Sequence, residues 1–172
     1  MSARVCEFSP CRKYRYTLWR EWALEDLLVN AGCSTETMAH TYLMVIGLNP
    51  STADETKEDP TIRRCIDFAK RWGFGALCMT NLFAWRDTKP ANMKRALFPV
   101  GGDNDMWLKR CAEGAGMILA AWGKHGSFLD RGKTVAKDLR GMGHSIHALR
   151  LNDDGSPEHP LYIPASTVPV AF

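Results

Sequence analysis

Apolar residues along the chain fall into two alternating patterns: short aliphatic or aromatic runs, and longer stretches in which they recur at helical spacing. Positions 14–19 have the aromatic and β-branched content of an edge strand. Trp22, Leu24, Leu27, Leu28 and Ala31 then form one face of a helix closed by Gly32. A buried strand at 42–46 follows. The next helix has the sharpest limits, with Asp59 at its N-cap, Pro60 in its first turn and Gly73 at its exit. Its inner stripe is Ile62, Cys65, Ile66, Ala69 and Trp72, which leaves Arg63, Arg64, Lys70 and Arg71 outside. Strand 76–80 runs through residues 81–86 into a long polar connection containing Pro90, Pro99, Gly101 and Gly102. Asp103 caps a helix that turns Trp107, Leu108, Cys111, Ala112 and Ala115 inward. A buried strand at 117–121 leads to a helix bearing Phe128, Gly132, Val135, Ala136 and Leu139, and then to a strand at 144–149. The remaining segment is too rich in Pro and Gly to be regular.

Strands alternating with helices of this length predict a three-layer α/β/α domain with a central, mostly parallel sheet of core order 2-1-3-4. The expected organisation is one domain over 1–172, with an N-terminal edge strand and helix (1–40), a core (41–150) and a C-terminal motif segment (151–172). This order places a topological switch point between the strands ending at Ile46 and Ala121, so Asn49 and Trp122 face the crevice where such sheets bind ligands.

With 172 residues the chain is long enough to bury a self-sufficient core. The net charge of +3 is unevenly spread: residues 57–95 hold nine Lys or Arg against four Asp or Glu. A basic middle suits a polyanion, and equally suits a solvated helix face. The first residues lack the apolar core of a leader peptide and no run approaches the ~20 apolar residues of a membrane span, so a cytoplasmic protein with no membrane partner is expected. The cysteines at 6, 11, 33, 65, 78 and 111 contain no Cys-x-x-Cys pair; reduced thiols are expected, the alternative being a metal site built from Cys6 and Cys11 with distant partners. There is no phosphate loop of the Gly-x-x-x-x-Gly-Lys-Ser/Thr type, which argues against a nucleotide hydrolase.

Gly47-Leu48-Asn49-Pro50-Ser51 resembles the first motif of the uracil-DNA glycosylase superfamily. Asn81, Ala121-Trp122-Gly123 and His159-Pro160-Leu161 are similar to its base-reading Asn, third-strand ending and second motif. The set also resembles a short uncharacterised bacterial and phage family carrying Asn-Pro-Ser-Thr-Ala-Asp, Asp-Pro-Thr, Asn-Leu, Ala-Trp-Gly and His-Pro-Leu, found here at 49–54, 59–61, 81–82, 121–123 and 159–161. The first resemblance implies a uracil-DNA glycosylase-like fold and a monomeric, cofactor-free and metal-free hydrolase that cleaves the N-glycosidic bond of a base flipped from DNA, single- or double-stranded.

The residue chemistry fits those roles. Base release passes through an oxocarbenium-like state, so fixed dipoles near developing charge matter more than a strong base. Asn49 can hold the water through its side-chain carbonyl, with Asp54 a rival base. The amide of Asn81 offers the donor and acceptor that a pyrimidine edge requires. His159 can donate to the departing base. Gly47, Leu48, Ser51 and Trp122 complete the base pocket, and Trp85 is a further stacking candidate. Leu161, Tyr162 and Ile163 form a candidate wedge. Thr52, Ser166, Thr167, Arg63, Arg64, Arg86 and Lys124 are candidate DNA contacts.

Where the uracil-specific enzymes place a Tyr after the motif Pro, this chain has Ser51, which leaves room for a 5-substituent. A modified pyrimidine is therefore the expected base. Asn49 stands where the most active glycosylases have Asp, which keeps two alternatives open: an enzyme that alters the substituent of a flipped pyrimidine, and a non-catalytic reader of modified DNA.

Overall fold

A computed structural model describes residues 4–22 and 41–172. Beyond Trp22, the helix expected up to Gly32 lies outside the described residues, as does Cys33. Among the described residues one sheet contains β1 (Arg4–Phe8), β2 (Arg15–Glu21), β3 (Tyr42–Gly47), β4 (Ala76–Asn81), β5 (Ala115–Ala120), β6 (Ile146–Ala148) and β7 (Val170–Ala171). Their order is β1-β2-β4-β3-β5-β6-β7. The four central strands are parallel, in the predicted 2-1-3-4 order, and the flanking pairs are antiparallel.

The central runs are continuously apolar because both faces are covered. Leu43, Val45, Leu77, Met79 and Leu119 pack on one side with Ile62, Cys65, Phe68 and Ala69 of helix α1 (Pro60–Arg71). Met44, Ile46, Cys78, Ile118 and Ala120 pack on the other against α3 (Asn104–Glu113) and α4 (Arg131–Gly141). The α1 limits follow the sequence: Asp59 accepts the Ile62 amide at 2.9 Å, Pro60 opens the helix and Gly73 leaves it at φ +81°.

Several expectations are corrected. The strand over 14–19 is not an edge, because β1 covers it on one side while β4 pairs on the other. Its register with β1 passes from Glu7↔Thr17 to Phe8↔Arg15, so Tyr16 is an extra residue in a β-bulge. Arg64 is not outside: it lies over Phe68 and donates to the Ile163 carbonyl. Phe68, unmarked by the predicted stripe, is fully buried, and Ile66 is only half-buried. The polar connection contains a short helix, α2 (Pro90–Arg95), and Ala115 begins β5 instead of ending a helix. Phe128 precedes α4, in a 3-10 segment over Lys124–Asp130. The C-terminal segment holds a 3-10 turn at Pro160–Tyr162 as well as β7. No helix among the described residues is long and apolar enough to cross a membrane.

Candidate functional site

The order reverses at β3, which lies between β4 and β5, and a cavity of about 640 Å³ opens at the carboxyl ends of these strands. Gly47, Leu48, Asn49, Ser51, Asn81, Trp122, Lys124, His159, Leu161, Tyr162 and Ile163 all line it, so eleven of the expected site residues converge. They come from four stretches of chain separated by tens of residues. That volume lies within the range of small-molecule sites.

Asn49 is held by its own amide. Its Nδ2 donates to the carbonyls of Asp87 (2.8 Å), Pro50 (3.2 Å) and Trp85 (3.4 Å). Three acceptors on one side fix the flip, leaving Oδ1 as the group with no protein partner among the described residues. Backbone bonds from Leu82 to Gly47, Phe83 to Leu48 and Asp87 to Pro50 knit the two loops together.

Asn81 ends β4 at 1% exposure, yet its Nδ2 has no hydrogen-bond partner among the described residues. Such a donor costs about 1–3 kcal/mol if nothing binds it. Gly47 makes room for this side chain, because a Cβ there would lie 2.8 Å from Asn81 Oδ1 and 2.7 Å from Met79 Cε. Asn104 fixes the backbone below, its Nδ2 donating to the carbonyls of Asn81 and Leu82, both at 3.0 Å.

His159 precedes the 3-10 turn and accepts the Leu161 amide at Nδ1, at 3.4 Å. In the neutral ring the proton is then on Nε2. Partial burial lowers its pKa from the ordinary 6.5, against the opposing charge of Asp59. The turn leaves Tyr162 90% exposed at the cavity mouth, whereas Ile163 is buried in the core, which removes it as a wedge.

Trp122 lines the cavity as a packed wall. A Cβ on Gly126 would lie 2.0 Å from its ring and one on Gly132 2.9 Å, while Phe172 meets it edge-on at 5.5 Å. Its ring is therefore committed to packing instead of base stacking.

Other expected residues lie elsewhere. Asp54 does not line the cavity: its Oδ1 accepts the amides of Thr56 and Lys57, both at 2.9 Å, and the Thr56 hydroxyl at 3.0 Å. Those bonds hold its carboxyl down at about 2, so it stabilises a turn and is removed as a base. Arg63 bonds the Glu58 carbonyl on the outside of the fold, and Arg64 braces the Ile163 carbonyl. Ser166 and Thr167 line neither this cavity nor its neighbour, while Thr52, Trp85 and Arg86 line the neighbouring one. Of the basic stretch over 57–95, Lys57 and Arg86 share that neighbouring cavity, whereas Arg63 and Arg64 line neither. Cys11 shares a hydrogen bond with Ser9 at 3.3 Å, and no group of three metal-ligating side chains forms among the described residues.

Residues not anticipated also line the cavity: Asp59, Asp87, Arg150, Glu158 and, most deeply, Arg15. Arg15 is 2% exposed, donates Nη1 to the Ala53 carbonyl at 2.5 Å and leaves Nε unpartnered among the described residues. Burial pulls its pKa down to about 10. The bulge at Tyr16 puts Arg15 on the same face of β2 as Leu18, towards α1 and the cavity, a re-aiming that strict alternation does not reveal.

A family model described as a protein of unknown function (DUF1643) matches residues 15–161. No curated protein and no solved structure matches the chain.

Proposed function

This chain belongs to the DUF1643 family of proteins of unknown function, and we propose that its cleft binds a pyrimidine flipped from DNA and hydrolyses the N-glycosidic bond, on a fold of the uracil-DNA glycosylase type. The observation that carries this reading is the buried, unpartnered Nδ2 of Asn81, in a cavity shared with Asn49 and His159. A buried donor kept without a partner is matched by a ligand acceptor, and an adjacent amide carbonyl takes the neighbouring N–H of a pyrimidine edge.

In this reading Asn49 Oδ1 positions a water, its Nδ2 being anchored to the 85–87 loop. As the bond between base nitrogen and sugar carbon breaks, charge grows on the base and Nε2–H of His159 donates to its carbonyl oxygen. The water oxygen joins the sugar carbon, and the proton it releases ends on the departed base. No strong base is required at Asn49, because the sugar carbon is already cationic when water arrives. Ser51 lines the cavity with a short side chain, which supports a 5-substituted pyrimidine as substrate. Tyr162 and Leu161 at the mouth supply the surface that replaces the vacated stack.

The test uses matched oligonucleotides carrying uracil, thymine, 5-hydroxymethyluracil or a bulkier 5-substituted uracil, followed by alkali. Strand breaks at the 5-substituted bases are expected. Breaks at plain uracil alone would overturn the assignment of the base, and no breaks with any of them would overturn the hydrolase.

A further inference from the structure

Beside the cleft lies a second hollow, also of about 640 Å³. Ser51, Asp87 and Thr88 line both, so the two adjoin. Its other walls bring together Arg12 and Lys13 from the β1–β2 turn, Lys57 from the loop before α1, and Arg86. Asp87 is the one acid among the described residues that line it, and its Oδ1 is already taken by the Lys89 amide (2.8 Å) and Asn92 Nδ2 (3.1 Å).

Four cations from three stretches of chain outnumber Asp87, the one acid in this lining, and the surplus positive charge repels itself unless a further anion lies among them. The fold nevertheless holds Arg12, Arg86 and the turn that carries Lys57 in place. Arg12 and Arg86 both lie on the Phe8 ring, 4.1 and 4.8 Å from its centroid, an arrangement that attracts each cation to the ring but neutralises neither. Arg12 sits at φ +54°, in the left-handed region seldom adopted by residues with a side chain, and its amide closes the turn onto the Ser9 carbonyl at 2.8 Å. Lys57 is carried by the turn that Asp54 caps, and Arg20 ties that turn down through the carbonyls of Asp54 (2.5 Å) and Lys57 (3.3 Å). Glu55 meets Arg12 at 3.2 Å, but both are solvent-exposed and such a pair offsets little. Arg86 Nε is buried with no partner among the described residues.

We propose that this groove holds the phosphodiester backbone of the DNA strand on one side of the nucleotide whose base enters the cleft. The inference rests on reading the cleft as a nucleobase site, and it adds a direction: the strand leaves the cleft past Ser51 and Thr88 towards Arg12. Guanidinium, ammonium and hydroxyl groups, here including Thr52, are the usual partners of phosphate oxygens. Trp85, packed edge-on against Tyr14 at 5.4 Å, adds the aromatic surface on which an adjacent base stacks.

The test measures binding of an unmodified single-stranded DNA of about 12 nucleotides by fluorescence anisotropy between about 50 and 200 mM salt. Wild type is compared with a Lys13→Gln/Lys57→Gln double variant and with Asn81→Ala. Both lysines are exposed, so the double variant keeps its fold. Its plot of log K against log salt is expected to be shallower by about 1.4, two phosphate contacts at ~0.7 each, while Asn81→Ala keeps the wild-type slope. A double variant with the wild-type slope would overturn the groove. Failure of the nucleobase reading has a different signature, Asn81→Ala binding a 5-substituted deoxyuridine nucleoside as tightly as wild type, a readout that does not involve the lysines.

Discussion

The Asn49 side chain donates to the Asp87 carbonyl at 2.8 Å, so the central residue of the first motif is fastened to the loop that follows β4. Replacing Asn49 by Asp would set a carboxylate against three carbonyl oxygens. The expected result is a loss of about 1–3 kcal/mol, a melting temperature lower by several degrees, and no gain in turnover. Thermal denaturation alongside the alkali-cleavage assay checks it; a faster, equally stable Asn49→Asp variant would show that the amide is not needed for anchoring.

Gly47→Ala places a methyl group 2.7 Å from Met79 Cε and 2.8 Å from Asn81 Oδ1. Met79 can swing away, but Asn81 is buried and has less room to move. A cost of about 1–3 kcal/mol is expected, with weakened nucleoside binding, measured by denaturant unfolding and titration calorimetry.

Asp54→Ala separates turn from chemistry. Because Asp54 is outside the cleft, kcat is expected to survive, with at most a raised KM for oligonucleotides through the Lys57 turn. The folded carboxyl titrates at about 2, below its ordinary 3.8, so its stabilisation is full above 3.8 and is lost as pH falls towards 2. The difference in melting temperature between wild type and variant is therefore expected to be full at pH 7 and much smaller near pH 2.

Much of the fold was legible because its determinants are local. Asp59, Pro60 and Gly73 mark α1 by their backbone chemistry, and the runs of β3, β4 and β5 are long enough to require cover on both faces. Strand β1 escaped because Arg4 to Phe8 is half-exposed and mixes charges with apolar residues, and β7 because it is two residues long. Within the site, Asn49, Asn81 and His159 stand at strand or loop ends where a polar residue is conspicuous. Arg15 was hidden by a bulge that depends on pairing with β1, and Asn104 by a helix start at which Asp103 looked the obvious cap, although that side chain makes no capping bond. Asp54 misled because proximity in sequence to Asn49 does not survive the turn that it closes.

His159 carries a depressed pKa, so it stays neutral below 6.5 and Nδ1 remains an acceptor for Leu161. As pH falls through 6.5 the unfolded chain takes up this proton before the folded one, and stability is lost down to the folded value. The acid limb of turnover is expected below 6.5, and a His159→Gln variant is expected to lack it. A pH–rate profile checks both; a limb above 6.5 would contradict the neutral-donor role.

Asn81→Leu bears most directly on the central claim, read by the melting temperature of the free protein together with calorimetric affinity for a 5-substituted deoxyuridine. If the buried amide is kept for a base, the variant melts at or above the wild-type temperature, because an unpartnered donor has gone, while nucleoside binding disappears. A variant that melts several degrees lower and binds the nucleoside as tightly as wild type would contradict the account.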